Sequence, residues 1–206
     1  MLSRPDAVHR ARLLNRATIT WNAIEGVVAL AAGVAAGSVS LIGFGVDSAI
    51  ELSAALVLAW RLHQERKAGC RQADDARATR LIALGFGVLA AYVAVKAVAD
   101  LAGRSEPDES VAGIAIAALS LVVMPALARA KRRLAPVLGS AAAAADARQT
   151  NLCAVLSAVL LCGLGANALA GWWWADPVAG LGIAVVAAVE AVRTWRAESL
   201  EDTCCG

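Results

Sequence analysis

Six apolar runs, each long enough to cross a bilayer, leave this chain few ways to fold. They lie near residues 17–36, 39–60, 81–102, 110–128, 142–170 and 174–194. A helix rises 1.5 Å per residue, so about 20 mostly apolar residues span a hydrocarbon core roughly 30 Å thick. The 206 residues are 59% hydrophobic, against about 45–50% for an ordinary soluble domain. A soluble bundle would show a polar face on each helix with a 3.6-residue period. Stretches 26–47 and 152–170 are close to apolar all round instead. The expected fold is all-α, an integral membrane six-helix bundle. It forms a single transmembrane domain over 1–206, with no soluble C-terminal domain. The first run is too long for a cleavable signal, and Asn22 and Glu25 interrupt it.

Charge sets the expected orientation. Basic residues gather in the N-terminal tail (Arg4, Arg10, Arg12, Arg16), after the second run (Arg61 to Arg80), after the fourth (Arg129, Lys131, Arg132, Arg133, then Arg148) and at the C-terminal end (Arg193, Arg196). Of the 19 Lys and Arg, only Arg104 falls in an opposite-side loop and Lys96 within a run. The positive-inside rule then places both termini in the cytoplasm and turns the acidic loop 103–109 outward. Charges parcelled in this way, without interleaved aromatics, give no nucleic-acid surface. Cys70, Cys204 and Cys205 fall on the cytosolic side, where thiols stay reduced. Cys153 and Cys162 fall within the membrane, and no zinc-knuckle spacing occurs. The terminal EDTCCG reads as a disordered end, with capture of a soft cation by its acids and thiols as the alternative.

There is no Ser/His/Asp set and no Walker loop, and His9 and His63 fall outside the apolar runs. No enzyme and no permanently bound cofactor are expected, and any transport must draw on ion gradients. Trp172, Trp173 and Trp174 fit an interfacial aromatic belt. Asp176 followed by Pro177 reads as the start of the sixth helix, a structural use of the acid.

Asp47 and Glu51 are different. They lie inside the second run, LIGFGVDSAIELSAALVLAW. A carboxylate at mid-membrane costs about 2.5–3.5 kcal/mol on insertion scales and so marks function. A spacing of four puts both on one helix face. From residue 39, Asp47 lies about 12 Å and Glu51 about 18 Å down the helix axis. The fifth run travels the other way, and there Asp146, Gln149 and Cys153 follow spacings of three and four. Counted from residue 142, Gln149 lies about 10 Å and Cys153 about 16 Å along. Cys153 is thus expected level with Asp47, and Gln149 level with Glu51. Asp47, Glu51, Gln149 and Cys153 form the candidate metal site. Two carboxylates would neutralise a divalent ion, and a thiolate favours zinc, copper(I) or cadmium over magnesium and calcium. Metal ligands bind deprotonated, so binding would release protons and couple the two movements. Gln149 could instead bond between helices, and Cys153 could be a small packing residue. Glu25 could pair with Lys96, or take part in transport. Asp146 could sit at the cytoplasmic end beside Arg148, or act as a gate.

Three segments resemble the cation diffusion facilitator family. SVSLIGFGVDSAIELSAALVLAWRL (38–62) is similar to the family's second transmembrane helix, ADARQT (145–150) to the start of its fifth, and WWWADPVAGLGIAVVAAVEAVRTWR (172–196) to the run into its sixth. The resemblance implies exchange of zinc or related divalent metals for protons, a homodimer, and a short, transmembrane-only member, expected in a bacterial plasma membrane. The family's metal site pairs two residues on the second helix, matched by Asp47 and Glu51, with a His and an Asp on the fifth, matched by Gln149 and Cys153. The fifth-helix half therefore departs from the pattern. Two other readings stay open: a non-transporting metal sensor or partner subunit, and an organic-cation exporter.

Overall fold

The computed structural model describes residues 4–64, 72–105, 107–138 and 141–197. Six helices follow one another: α1 (Arg4–Ala36), α2 (Val39–Gln64), α3 (Gln72–Gly103), α4 (Val111–Leu138), α5 (Ala141–Ala170) and α6 (Ala175–Ala197). No strand occurs among the described residues. All six are long and apolar enough to cross a membrane. The sequence-based runs find each helix but stop short where charge begins. α1 starts at Arg4 rather than near 17, and α4 runs to Leu138 rather than 128, through Arg129–Arg133 and past Pro125 and Pro136. Hydropathy marks where a helix leaves lipid, not where it ends.

The connections at one end of the bundle are short and tied together. Gly37 and Gly171 take positive φ (66° and 65°) at the ends of α1 and α5, a conformation glycine adopts without Cβ strain. Ser38 caps α2 by accepting from Leu41 N at 3.2 Å, and Ser110 caps α4 by accepting from Gly113 N at 3.0 Å. The sequence assigns Asp176 to the start of α6. In the structure its buried carboxylate serves α2 instead: it accepts from the Ser38 hydroxyl at 2.6 Å, from Val39 N at 3.1 Å and from the Ser40 hydroxyl. The role is structural, as expected, but its beneficiary lies 138 residues away. Trp172 and Trp174 stack at this end, ring centroids 5.3 Å apart, half-exposed as an interfacial belt requires.

α1 packs on α2, α4 on α5 and α3 on α6. In the α1–α2 pair the backbones themselves come close. A Cβ on Gly45 would lie 2.9 Å from Leu30 N, and one on Gly33 would lie 2.9 Å from Ile42 N. Only hydrogen at these positions lets the two backbones touch. Leu41, Phe44, Met124, Leu156, Leu160 and Ile183 fill the centre, and a second cluster around Val93 and Phe86 joins α3 to α6. Val27, Val34, Val88, Val95 and Val122 stand 70–72% exposed on the outside. That inversion suits a lipid solvent.

Candidate functional site

The α1–α2 contact carries three acids into the interior. Glu25 is 0%, Glu51 1% and Asp47 5% exposed. Asp47 and Glu51 lie on one face of α2, as the spacing requires. Glu25 comes from α1, opposite Ser48: a Cβ at neighbouring Gly26 would meet the Ser48 Cβ at 3.6 Å. The charges acting on Asp47 are Glu51, Glu25 and Glu190, all acidic.

Each acid has a different environment. Glu25 accepts from the Ser120 hydroxyl of α4, whose oxygen accepts from the Trp21 indole N–H at 3.0 Å. Its other oxygen, Oε2, lies 3.8 Å from the Cys153 thiol of α5, which donates to it. Glu51 Oε1 lies 2.8 Å from the Thr150 hydroxyl, while its Oε2 is buried with no hydrogen-bond partner. Cys153 is 1% exposed and in reach of Glu51 as well as Glu25. Both amide atoms of Asn22, 0% exposed and one turn from Glu25, also lack a partner. An unsatisfied buried polar group costs about 1–3 kcal/mol, so several gathered together are unlike ordinary core.

Towards the N-terminal end of the bundle two charged side chains are paired. Lys131 of α4 is 6% exposed. Its Nζ lies 2.8 Å from Asp146 Oδ2 and donates to Thr150 Oγ1 at 2.9 Å. Thr150 thereby links a buried ammonium to Glu51. Asp146, expected near Arg148 or at a gate, is held by Lys131.

The structure thus brings Asp47, Glu51 and Cys153 to one region. Gln149 lies one turn before Cys153 on the same side of α5. It is half-buried with Nε2 unpartnered, and Thr150 occupies the place beside Glu51 that was expected for it. Glu25 and Lys96 do not pair. Lys96, 45% exposed, bonds Asp100 one turn along its own helix. Sequence reasoning missed Ser120, Lys131 and Thr150. A helical period through Ser120, Met124 and Lys131, all buried, carries the signal for α4. Cys153 and Cys162 are free thiols. Cys70, Cys204 and Cys205 lie outside the described residues. Among the described residues no three His, Cys, Asp or Glu side chains are gathered so as to hold a metal ion in this conformation.

Buried acids in a membrane bundle, with a thiol reaching them from a facing helix, are groups whose chemistry suits a cation. No curated protein matches the chain. A family model described as the cation efflux transmembrane domain matches residues 17–201. That span reaches from α1 to the end of α6, and the chain belongs to the cation efflux family of membrane transporters.

Proposed function

We propose that the chain is a proton-coupled secondary transporter that exports a divalent transition metal, zinc first among them, through a site on α2 and α5. The observation that carries this reading is the burial of Asp47 and Glu51 among other acids, with Cys153 facing them from α5. Asp47 and Glu51 supply charge and oxygen ligands. Cys153 supplies a sulfur, and Gln149 enters as a fourth donor if α5 turns on its axis. A divalent ion displaces protons from these groups as it binds, and protons return when it leaves. Donors that stand apart in one conformation suit a site that closes on its ion during only part of a cycle. Rocking of helix pairs around a fixed midplane site then opens it to each side in turn.

Both termini are proposed to lie in the cytoplasm, a reading that the distribution of basic residues supports, and a bacterial plasma membrane is the proposed location. The functional unit is proposed to be a homodimer joined through the membrane helices, whose apolar outer faces offer the surface. Proteoliposomes with a trapped zinc-sensitive dye test the function. Zinc flux that a pH gradient drives and that Asp47→Asn with Glu51→Gln abolishes is the expected result. Flux unchanged in that double variant would overturn it.

A further inference from the structure

We infer that α1 completes the cation site: Asn22 and Glu25 join Asp47, Glu51 and Cys153 as ligands, an assignment that rests on the transport reading above. The register of the α1–α2 pair places them. Asn15 Nδ2 donates to Ala55 O at 3.0 Å, and Gly26 lies against Ser48. Between those two points the antiparallel helices bring Asn22 level with Glu51 and Glu25 level with Ser48. Asn22 and Glu25 are three apart and share one helix face. Neither shows any exposure.

Two independent observations mark the pair as ligands rather than packing. First, Asn22 Oδ1 and Nδ2 and Glu51 Oε2 are buried at one level without partners. A helix-bridging Asn would have used its amide, and a structural Glu would have used both oxygens. Second, Glu25 is held only by neutral donors. The Trp21–Ser120 relay orients Oε1, and Oε2 faces Cys153. Among the described residues no basic side chain pairs with it, and Lys96, which sequence reasoning offered for that task, serves Asp100. The acid is thus oriented, enclosed and left without a basic counterpart among the described residues.

This assignment also answers the departure on α5. Thr150, not Gln149, reaches Glu51, so α5 contributes one donor of metal-binding strength, Cys153. A carboxylate from α1, touching that same thiol, restores the missing acid from the opposite wall. The resulting set holds three carboxylates, an amide oxygen and one sulfur, without imidazole. Such an oxygen-rich set accepts manganese(II) or iron(II) alongside zinc.

The test counts sulfur around bound zinc in the full chain, with Cys70, Cys162, Cys204 and Cys205 replaced by Ser. X-ray absorption of this zinc-loaded protein should show one sulfur at about 2.3 Å among oxygens at about 2.0–2.2 Å. Glu25→Cys should raise the count to two. Separately, calorimetric titration should show zinc affinity falling at least about tenfold in Glu25→Gln, and largely recovering when Cys153→Asp is added. A count that stays at one, with Glu25→Gln binding zinc as its parent does, would overturn the role of α1 and leave the transport reading standing. A parent protein that binds neither zinc nor manganese would overturn both. If Glu25→Cys does not fold, the isosteric Glu25→Gln titration decides alone.

Discussion

Asp176 and the Asp47–Glu51 pair are all buried acids on membrane helices, yet their surroundings are opposite. Asp176 accepts from two hydroxyls and a backbone N–H, and three donors converge on one carboxylate. Glu51 has one oxygen matched and one orphaned, and the charges around Asp47 are further acids. Burial alone therefore does not distinguish structure from function. What distinguishes them is whether the fold itself supplies the counterparts. Asp176 is saturated by the residues that begin α2 and locks the turn end of the bundle. The acids on α2 lack such counterparts, and the proposed transport cycle would supply them as a cation and protons.

The sharpest way to break this division is to remove each acid in turn. Asp47→Asn with Glu51→Gln should reduce metal flux in proteoliposomes to background while leaving thermal stability in detergent unchanged or improved, because two buried like charges disappear. Asp176→Ala should do the reverse. It strands three donors, and hydrogen bonds to charged groups are worth about 1.5–3 kcal/mol each and are not additive. A loss of about 4 kcal/mol on thermal denaturation is expected, with flux per folded molecule retained. A stable Asp176→Ala protein without flux would erase the distinction.

The Lys131–Asp146 pair lies between these extremes, because its charges are matched but it touches the site through Thr150. Breaking a buried pair typically costs about 3–5 kcal/mol. Asp146 keeps some water contact at 11% exposure, so Lys131→Met should cost about 2 kcal/mol. Lys131→Met with Asp146→Asn should recover about half of that in a double-mutant cycle. If Thr150 transmits the ammonium's influence to Glu51, Lys131→Met should also change the pH dependence of flux, and Thr150→Val should remove that change.

The legible part of the fold was whatever the bilayer itself dictates. Six helices follow from six long apolar runs. Asp47 and Glu51 stand out because lipid makes a carboxylate expensive. What the sequence hid depends on partners distant along the chain. Asp176 followed by Pro177 is a sound local cap signal, and nothing near it announces Ser38 and Ser40. Lys131 reads as one of four loop cations because hydropathy cannot follow a helix past the membrane edge. On α5 the spacing Asp146, Gln149, Cys153 is helical, yet Thr150 faces Glu51. A shift of one residue turns a side chain by about 100°, and the buried run Ala147, Thr150, Cys153, Ala154, Ser157 marks the side of α5 on which Thr150 meets Glu51. Glu25 was visible as an intramembrane acid. Its neighbours were not, since they come from α2, α4 and α5 together.

The smallest effects test whether the site depends on how closely α1 lies on α2. A Cβ at Gly45 would meet Leu30 at 2.8–2.9 Å, backbone nitrogen included, so the helices must part by a few tenths of an ångström. Overpacking of this kind costs about 1–3 kcal/mol, and Gly45→Ala should fall within that range because a backbone nitrogen is among the Leu30 atoms it would meet. Its effect on flux should be larger than its effect on stability, because α1 carries Glu25 away from α2 as it moves. Gly87 on α3 is the matched control. It is exposed, and a Cβ there meets nothing within 4 Å. Gly87→Ala should stabilise the helix by about 0.5–1 kcal/mol through reduced backbone freedom in the unfolded chain, and flux should not change. Equal flux in Gly45→Ala and Gly87→Ala would mean that the acids on α2 work without close support from α1, and the contrast with Asp176 would then rest on α2 alone.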